Sequence, residues 1–153
     1  MGQLNWITNT TRPDISYEVC EVATVQSKAK ISDIVQANKI LRQAKNNKLQ
    51  IKFPKLDIPS MKLAVYHDAS YANLHDGGSQ GGYIIFLYDD QFNCCPISWS
   101  SKRIKRVVRS TLAAETLSAV ESLECGYLVS NIVSEILFID KDEKIRHASI
   151  YRQ

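Results

Sequence analysis

The sequence lacks the features that mark most fibrous, disordered, secreted and membrane proteins. It has 153 residues with only six glycines and four prolines, and its formal net charge is +3. Collagen-like, linker-like and disordered chains have other compositions, so we expect a folded unit with a hydrophobic core. No apolar run approaches the roughly 20 residues that a membrane-spanning helix needs, and the first residues do not resemble a signal peptide. We therefore expect an intracellular protein, in the cytoplasm or nucleus, without a membrane partner.

Cysteine and histidine are too few and too scattered to suggest a metal or disulfide framework. The four cysteines form no C-x-x-C pair, and the three histidines have no metal-ligand spacing. Cys94 and Cys95 are adjacent in an apolar stretch. The pattern is typical of buried, reduced thiols in an intracellular protein.

Acidic residues are absent from one long stretch, residues 91–114. Five cations lie within eight residues there: Lys102, Arg103, Lys105, Arg106 and Arg109. Residues 1–60 also carry a net charge of +4, from nine Lys or Arg and five Asp or Glu. The basic run is compatible with a solvated loop, with a strip that contacts nucleic-acid phosphates, or with a nuclear-localisation signal.

Sequence patterning divides the chain near residue 60. Before it, Pro13 and the pair Ser32–Asp33 are placed as helix starts, each followed by an apolar face at helical spacing. Leu49, Ile51 and Phe53 alternate with polar residues, which predicts a strand that ends at Pro54. Pro54, Pro59 and Ser60 then mark a boundary.

Residues 61–139 predict three antiparallel strands and then a long helix. Leu63, Val65 and His67 alternate, the glycine-rich residues 76–82 predict a hairpin turn, and a third strand is expected around Cys95–Ser100. Ser110 or Thr111 caps a helix with a long apolar stripe. The charged residues 140–153 are expected to be poorly ordered. The fold class is therefore α/β, with an α+β connector before the strands.

The carboxylates of Asp68 and Glu115 lie at positions that suggest a catalytic or metal-binding role. Asp68 ends an apolar strand, where a charge is costly unless it is paired or bound to a metal. Glu115 lies one turn into the long helix between small residues, which allow the helix to approach the sheet closely. Together they could begin a Mg²⁺ site, because this ion prefers carboxylate oxygens. The alternative is that Asp68 ends a strand in a turn and that Glu115 caps the helix or pairs with Arg109.

Five segments of the chain follow one another in a characteristic order. They are TRPDISYEV at 11–19, YHDASYA at 66–72, GGYIIFL at 81–87, ISWSSK at 97–102 and RSTLAAE at 109–115. The last four together resemble the ribonuclease H domain of copia-type retrotransposon Pol polyproteins, and the first resembles the connector that joins the reverse transcriptase to that domain. The resemblance covers roughly residues 2–138.

The resemblance implies a mixed sheet and hydrolysis of the RNA strand of RNA–DNA hybrids with two Mg²⁺ ions, or Mn²⁺ in their place. It implies that Asp68 and Glu115 are catalytic metal ligands and that the basic run contacts the phosphates of an RNA–DNA hybrid or another nucleic acid. The family's two later ligands have no clear counterpart, and Asp140 is a weak substitute. We therefore expect weak or absent cleavage by the isolated chain.

The resemblance also assigns the parts of the chain. Residues 1–60 would be the connector from the reverse transcriptase, residues 61–139 the N-terminal part of an incomplete ribonuclease H-like domain, and residues 140–153 the tail. The remainder of the polyprotein is an expected partner. Two alternatives stay open, a non-catalytic nucleic-acid-binding module and a non-functional retroelement remnant.

Overall fold

The computed structural model describes residues 1–137 and the backbone of residues 148–152. Three helices are followed by three strands, a long helix and a fourth strand. The predicted class, α/β with three antiparallel strands before a long helix, is confirmed. The elements are α1 (Gly2–Thr10), α2 (Ser16–Thr24), α3 (Ile31–Asn46), β1 (Lys62–Ser70), β2 (Gln80–Tyr88), β3 (Cys94–Arg103), α4 (Thr111–Leu137) and β4 (Ala148–Arg152), with short 3₁₀ turns at Pro13–Ile15, Gln26–Lys28 and Ile58–Ser60.

The four strands form one sheet in the order β3-β2-β1-β4. β1 pairs antiparallel with β2, and β2 pairs antiparallel with β3. The register shifts opposite Ile85 and Phe86, which pair with Ser98 and Pro96 and leave Ile97 as a bulge. Proline is tolerated at this point because β3 is an edge strand with a bulge.

Residues 148–152 depart from the expectation of a poorly ordered tail. They form β4, which runs parallel to β1 with Leu63 opposite Ala148 and His67 opposite Arg152. Without β4, the open edge of β1 would present a row of unpaired backbone groups, and β4 satisfies them. The strand was not predicted because Ile150 and Tyr151 are its only residues of types enriched in strands, and the rest of the tail is mostly polar or charged.

The main core lies between the sheet and α4. Leu63, Val65 and Ile85 are almost completely buried on the face that α4 covers. Gly126 brings α4 close to β1, since a side-chain Cβ at this position would lie 2.8 Å from Cγ2 of Val65. The partners of this core from α4 are Cys125, Val129 and Val133.

The three N-terminal helices have a second core of their own. Ile15, Val19 and Ile40 are at most 1% exposed, and Leu4 and Val22 are buried beside them. This layer contacts the sheet through Trp99 on β3, whose indole N–H donates to the carbonyl of Thr8 at 2.6 Å. The buried residues of the two cores lie on opposite sides of the proposed boundary at residue 60, but Leu56, before it, packs against the main core. The domain assignment stays a prediction.

Two local predictions for residues 1–60 are wrong. α3 begins at Ile31, and Asp33 is its third residue, where its carboxylate accepts a hydrogen bond of 2.7 Å from the backbone N–H of Lys30. The segment from Leu49 to Phe53 joins no strand, and both of these side chains are exposed. Alternation of apolar and polar residues alone therefore does not decide whether a segment joins the sheet. No helix in the described part of the chain has the length and apolar character to cross a membrane.

Candidate functional site

Glu115 lies on the second turn of α4, facing the sheet. Ser110 caps this helix, because its hydroxyl oxygen accepts a hydrogen bond of 3.1 Å from the backbone N–H of Ala113. The Glu115 side chain is only 15% exposed, and its Oε2 lies 3.9 Å from Nδ1 of His67. The sequence prediction therefore placed Glu115 correctly against the sheet, one turn into the helix.

His67 is the neighbour of Glu115 that sequence reasoning missed. Its side chain is 7% exposed, and its Nδ1 makes no hydrogen bond to any residue that the structure describes. Leu63, Val65 and His67 alternate on one face of β1, the face that α4 covers. That alternation was visible in the sequence and would have placed His67 next to the helix.

Asp68 follows His67 on β1 and is exposed. Neighbouring residues of a strand point to opposite faces, so the Asp68 carboxylate lies on the face away from α4. Its backbone is nevertheless fixed to the helix, because the Ser118 hydroxyl donates to the Asp68 carbonyl at 2.9 Å and reaches the Gly82 carbonyl at 3.2 Å. The structure thus brings α4 to the backbone of Asp68 and to the side chain of His67.

The described residues do not assemble a complete cation site. Asp68 and Glu115 have the oxygen ligands that Mg²⁺ prefers. Within residues 1–137 and the backbone of 148–152, however, no group of three or more His, Cys, Asp or Glu side chains lies close enough to hold a metal ion. Asp140, the weak third candidate, lies outside the described residues. The two carboxylates are therefore of the chemical type that binds a divalent cation, but two ligands are too few to hold it.

The basic run separates into two groups that the sequence could not distinguish. Lys102 and Arg103, at the end of β3, already have acidic partners. Lys102 Nζ lies 3.4 Å from Oε1 of Glu121, and Arg103 Nη1 lies 2.6 Å from Oδ2 of Asp76. The remaining three are exposed in the loop of residues 104–110, and they make no ion pair with any described residue. They are Lys105, Arg106 and Arg109.

The loop of residues 104–110 ends at the first turn of α4, where Glu115 follows within five residues. Its first residue is fixed to the strands, since the backbone N–H of Ile104 donates to the Ser79 carbonyl at 2.9 Å. The three unpaired cations are therefore held near the N-terminus of a 27-residue helix. A helix N-terminus favours anions, so both features attract negative charge.

A cleft of about 260 Å³ lies beside Asp68, between the sheet and the N-terminal helices. Its walls include Tyr17 from α2 and Tyr66 and Trp99 from the sheet. The Tyr17 hydroxyl accepts a hydrogen bond of 2.5 Å from the Asn73 side chain, and burial raises the pKa of Tyr17. The N-terminal helices thus form part of the surface around Asp68, which sequence reasoning did not predict.

Comparison with known proteins gives relatives over most of the chain. No protein-family model matches. The chain is 32% identical over 126 residues to a transposon Ty5-1 protein of Saccharomyces cerevisiae, which is 80% of this chain and 39% of the relative. It is 31% and 29% identical over 137 residues to the retrovirus-related Pol polyproteins from transposons RE1 and RE2 of Arabidopsis thaliana. These two alignments cover 89% of this chain and 9% of each polyprotein.

Proposed function

Because the chain is homologous to Pol polyproteins of Ty5 and Ty1-copia-type retrotransposons, we propose that it is a ribonuclease H-type unit that binds RNA–DNA hybrids. Its substrate class is the hybrid, and its nucleic-acid contacts are made by the loop of residues 104–110 and the N-terminus of α4. Binding of the hybrid does not require the chain to have the full activity of the longer Pol polyproteins.

The observation that carries the proposal is the set of three exposed cations in the loop before α4, which form no ion pair with a described residue and precede Glu115 by six to ten residues. Cations that have no protein partner are available to replace the counterions of a nucleic-acid backbone. Lys105, Arg106 and Arg109 meet this condition among the described residues, whereas Lys102 and Arg103 are already paired. A hybrid held by these three cations would pass close to Glu115.

We propose Asp68 and Glu115 as ligands of Mg²⁺ or Mn²⁺ on the basis of the family resemblance, since the alternation of β1 directs the Asp68 carboxylate to the face away from α4 while Glu115 lies against His67 on the other face. A pair of such ions, when bound, activates a water molecule and stabilises the leaving oxygen of a phosphodiester. Two carboxylates alone hold such a pair of ions weakly, so the isolated chain is expected to cleave hybrid weakly or not at all. The contribution of the chain itself is to bind the hybrid and to position Glu115 against β1.

The test is a binding titration of the full chain with a fluorescently labelled RNA–DNA hybrid, without divalent cations and at low salt. We expect saturable binding that weakens when Lys105, Arg106 and Arg109 are replaced together by alanine. The matched control replaces Lys102 and Arg103 by alanine, and we expect a smaller effect. Absence of binding at low salt would refute the proposal.

A second candidate function is nucleic-acid binding without preference for hybrids. It is favoured by the same loop, because phosphate contacts carry no sequence or strand information of their own. Duplex DNA and duplex RNA of the same sequence serve as competitors in the titration. Equal affinity for all three duplexes would select this second function, and preference for the hybrid would select the first.

A further inference from the structure

The cleft beside Asp68 has a floor made by two rows of cross-strand neighbours on one face of the sheet. The first row is Tyr66, Ile84 and Trp99, and the second is Asp68, Gly82 and Ser101. A Cβ added at Gly82 would meet, among the described residues, only the carbonyl oxygen of Ser100 at 3.2 Å and the Cα of Ser101 within 4 Å. The floor is therefore open backbone at Gly82, between the side chains of Asp68 and Ser101.

Three aromatic side chains in the walls of the cleft are held in place by contacts outside it. The Trp99 indole is fixed by its hydrogen bond to a carbonyl of α1, and the Tyr17 hydroxyl is fixed by the Asn73 side chain. The Tyr66 ring meets Phe86 edge-on, with ring centroids 5.9 Å apart and an interplanar angle of 88°. Because these rings are already ordered, a ligand that packs on them loses little free energy to side-chain ordering.

The chemistry of the lining favours an uncharged ligand. Asp68 lines the cleft, and no lysine or arginine does so in the part of the chain that the structure describes. An anion such as phosphate would lie beside a carboxylate without a compensating cation, which is unfavourable.

The cleft also contains a polar atom that a ligand can satisfy. The Ser16 hydroxyl oxygen is buried in the lining and makes no hydrogen bond to any described residue. Buried polar atoms normally have a hydrogen-bond partner. With a volume of about 260 Å³, the cleft is slightly smaller than sites for drug-sized ligands. It therefore suits one flat, uncharged ring system with hydrogen-bonding groups at its edge.

We propose that this cleft binds a single unpaired nucleobase. Nucleobases have flat faces that stack on aromatic side chains and edges that form hydrogen bonds. Bases in a duplex already use these edges for pairing, so the ligand is a base of a single-stranded end or of a free nucleoside. The proposal deepens the hybrid-binding proposal and rests on it only for the first of these two sources.

The experiment measures nucleoside binding to the full chain by tryptophan fluorescence. The chain has two tryptophans, and Trp6 is exposed on α1. Trp6→Phe leaves Trp99 in the cleft as the only tryptophan. This protein is titrated with adenosine, guanosine, cytidine and uridine without divalent cations. We expect saturable quenching of Trp99 by at least one of the four nucleosides.

Variants of Tyr17 test the stacking contact. Tyr17→Ala should weaken nucleoside binding at least about fivefold, because it removes one base–aromatic contact. Tyr17→Phe keeps the ring and should change binding less than about twofold. The matched control is Tyr127→Ala, which removes an exposed tyrosine of α4 outside the cleft and should leave binding unchanged. Circular dichroism reports folding, and Tyr17→Leu, which keeps apolar volume without a ring, replaces Tyr17→Ala if that variant does not fold.

Two hybrids distinguish the sources of the base. A hybrid with a short single-stranded end should bind more tightly than a blunt hybrid of the same sequence, and Tyr17→Ala should abolish this difference. Binding of nucleosides without any gain from the single-stranded end would assign the cleft to free nucleosides. The triple replacement of Lys105, Arg106 and Arg109 by alanine should weaken hybrid binding and leave nucleoside binding unchanged. Failure of the hybrid-binding proposal and failure of this one therefore give different patterns.

Three results would overturn the proposal. They are absence of quenching by all four nucleosides, equal loss of binding in Tyr17→Ala and Tyr127→Ala, and binding of indole at least as tight as that of every nucleoside. The last result would assign the cleft to an aromatic side chain of a protein partner.

Discussion

We expect the salt dependence of the proposed hybrid binding to distinguish the two groups of cations in the basic run. Each phosphate contact that a cation makes releases a counterion, and log K falls by about 0.9 per contact for each tenfold rise in salt. Three contacts from Lys105, Arg106 and Arg109 therefore contribute a slope of about −2.7. Between about 50 and 200 mM salt, these contacts alone account for a loss of roughly 40-fold in affinity.

The perturbation is the triple replacement of these cations by alanine, followed by hybrid titrations at five salt concentrations. The expected result is a slope about 2.7 units less steep than that of the unmodified chain. Since Lys102 and Arg103 already face Glu121 and Asp76, their double replacement should change the slope by less than about one unit. Lys105, Arg106 and Arg109 are all exposed, so the triple variant is expected to keep its fold.

An equal change of slope in the two variants would contradict this expectation. It would mean that Glu121 and Asp76 do not reduce the availability of Lys102 and Arg103 for phosphate contacts. An unchanged slope in the triple variant would remove the loop of residues 104–110 from the nucleic-acid interface. Circular dichroism of each variant is the control for folding.

Three predictions concern stability. Arg12→Met should lower the free energy of unfolding, measured by urea titration, by about 3 kcal/mol, since it removes a largely buried guanidinium that donates to both carboxylate oxygens of Asp14. An unchanged free energy of unfolding would show that the ion pair does not stabilise the fold. Burial is the main cause that raises the pKa of Tyr83 from 10.0 to about 12, so the free energy of unfolding should be unaffected below pH 10 and should fall as the pH rises towards 12. The fall should be less steep in Tyr83→Phe, and identical alkaline profiles of the two proteins would contradict this. The hydrogen bond from the Asn93 side chain is the main cause that holds the pKa of Asp89 below its usual 3.8, so the ionised Asp89 stabilises the fold above that pH and this stabilisation is lost as the pH falls below it. Asp89→Asn should therefore lower the thermal midpoint at neutral pH and flatten its acid dependence, and an unchanged midpoint would refute this.

The part of the fold with local signals was predictable from sequence. β1 to β3 were found because apolar alternation coincided with a glycine-rich turn, and α4 because a serine cap preceded a long apolar stripe. Glu115 was placed against the sheet for the same reason. In these segments the local preference and the tertiary arrangement agree.

The remaining features depend on long-range partners. β4 pairs with an edge of β1 that lies 85 residues earlier in the chain, and Leu49–Phe53 joins no strand although its side chains alternate in the same way as those of a strand. The pairing of Arg103 with Asp76 joins residues on two sides of a hairpin. The Tyr17 wall beside Asp68 requires the packing of α2 on the sheet. None of these contacts has a sequence pattern of its own.

We propose that the chain binds RNA–DNA hybrid but holds too few metal ligands for efficient cleavage. A gel assay of hybrid cleavage by the isolated chain with Mg²⁺, at protein concentrations that saturate the hybrid, tests both parts of this proposal. We expect a bound hybrid and weak or absent cleavage. Robust cleavage that disappears in both Asp68→Asn and Glu115→Gln would contradict it, and it would show that the chain assembles a working cation site by itself.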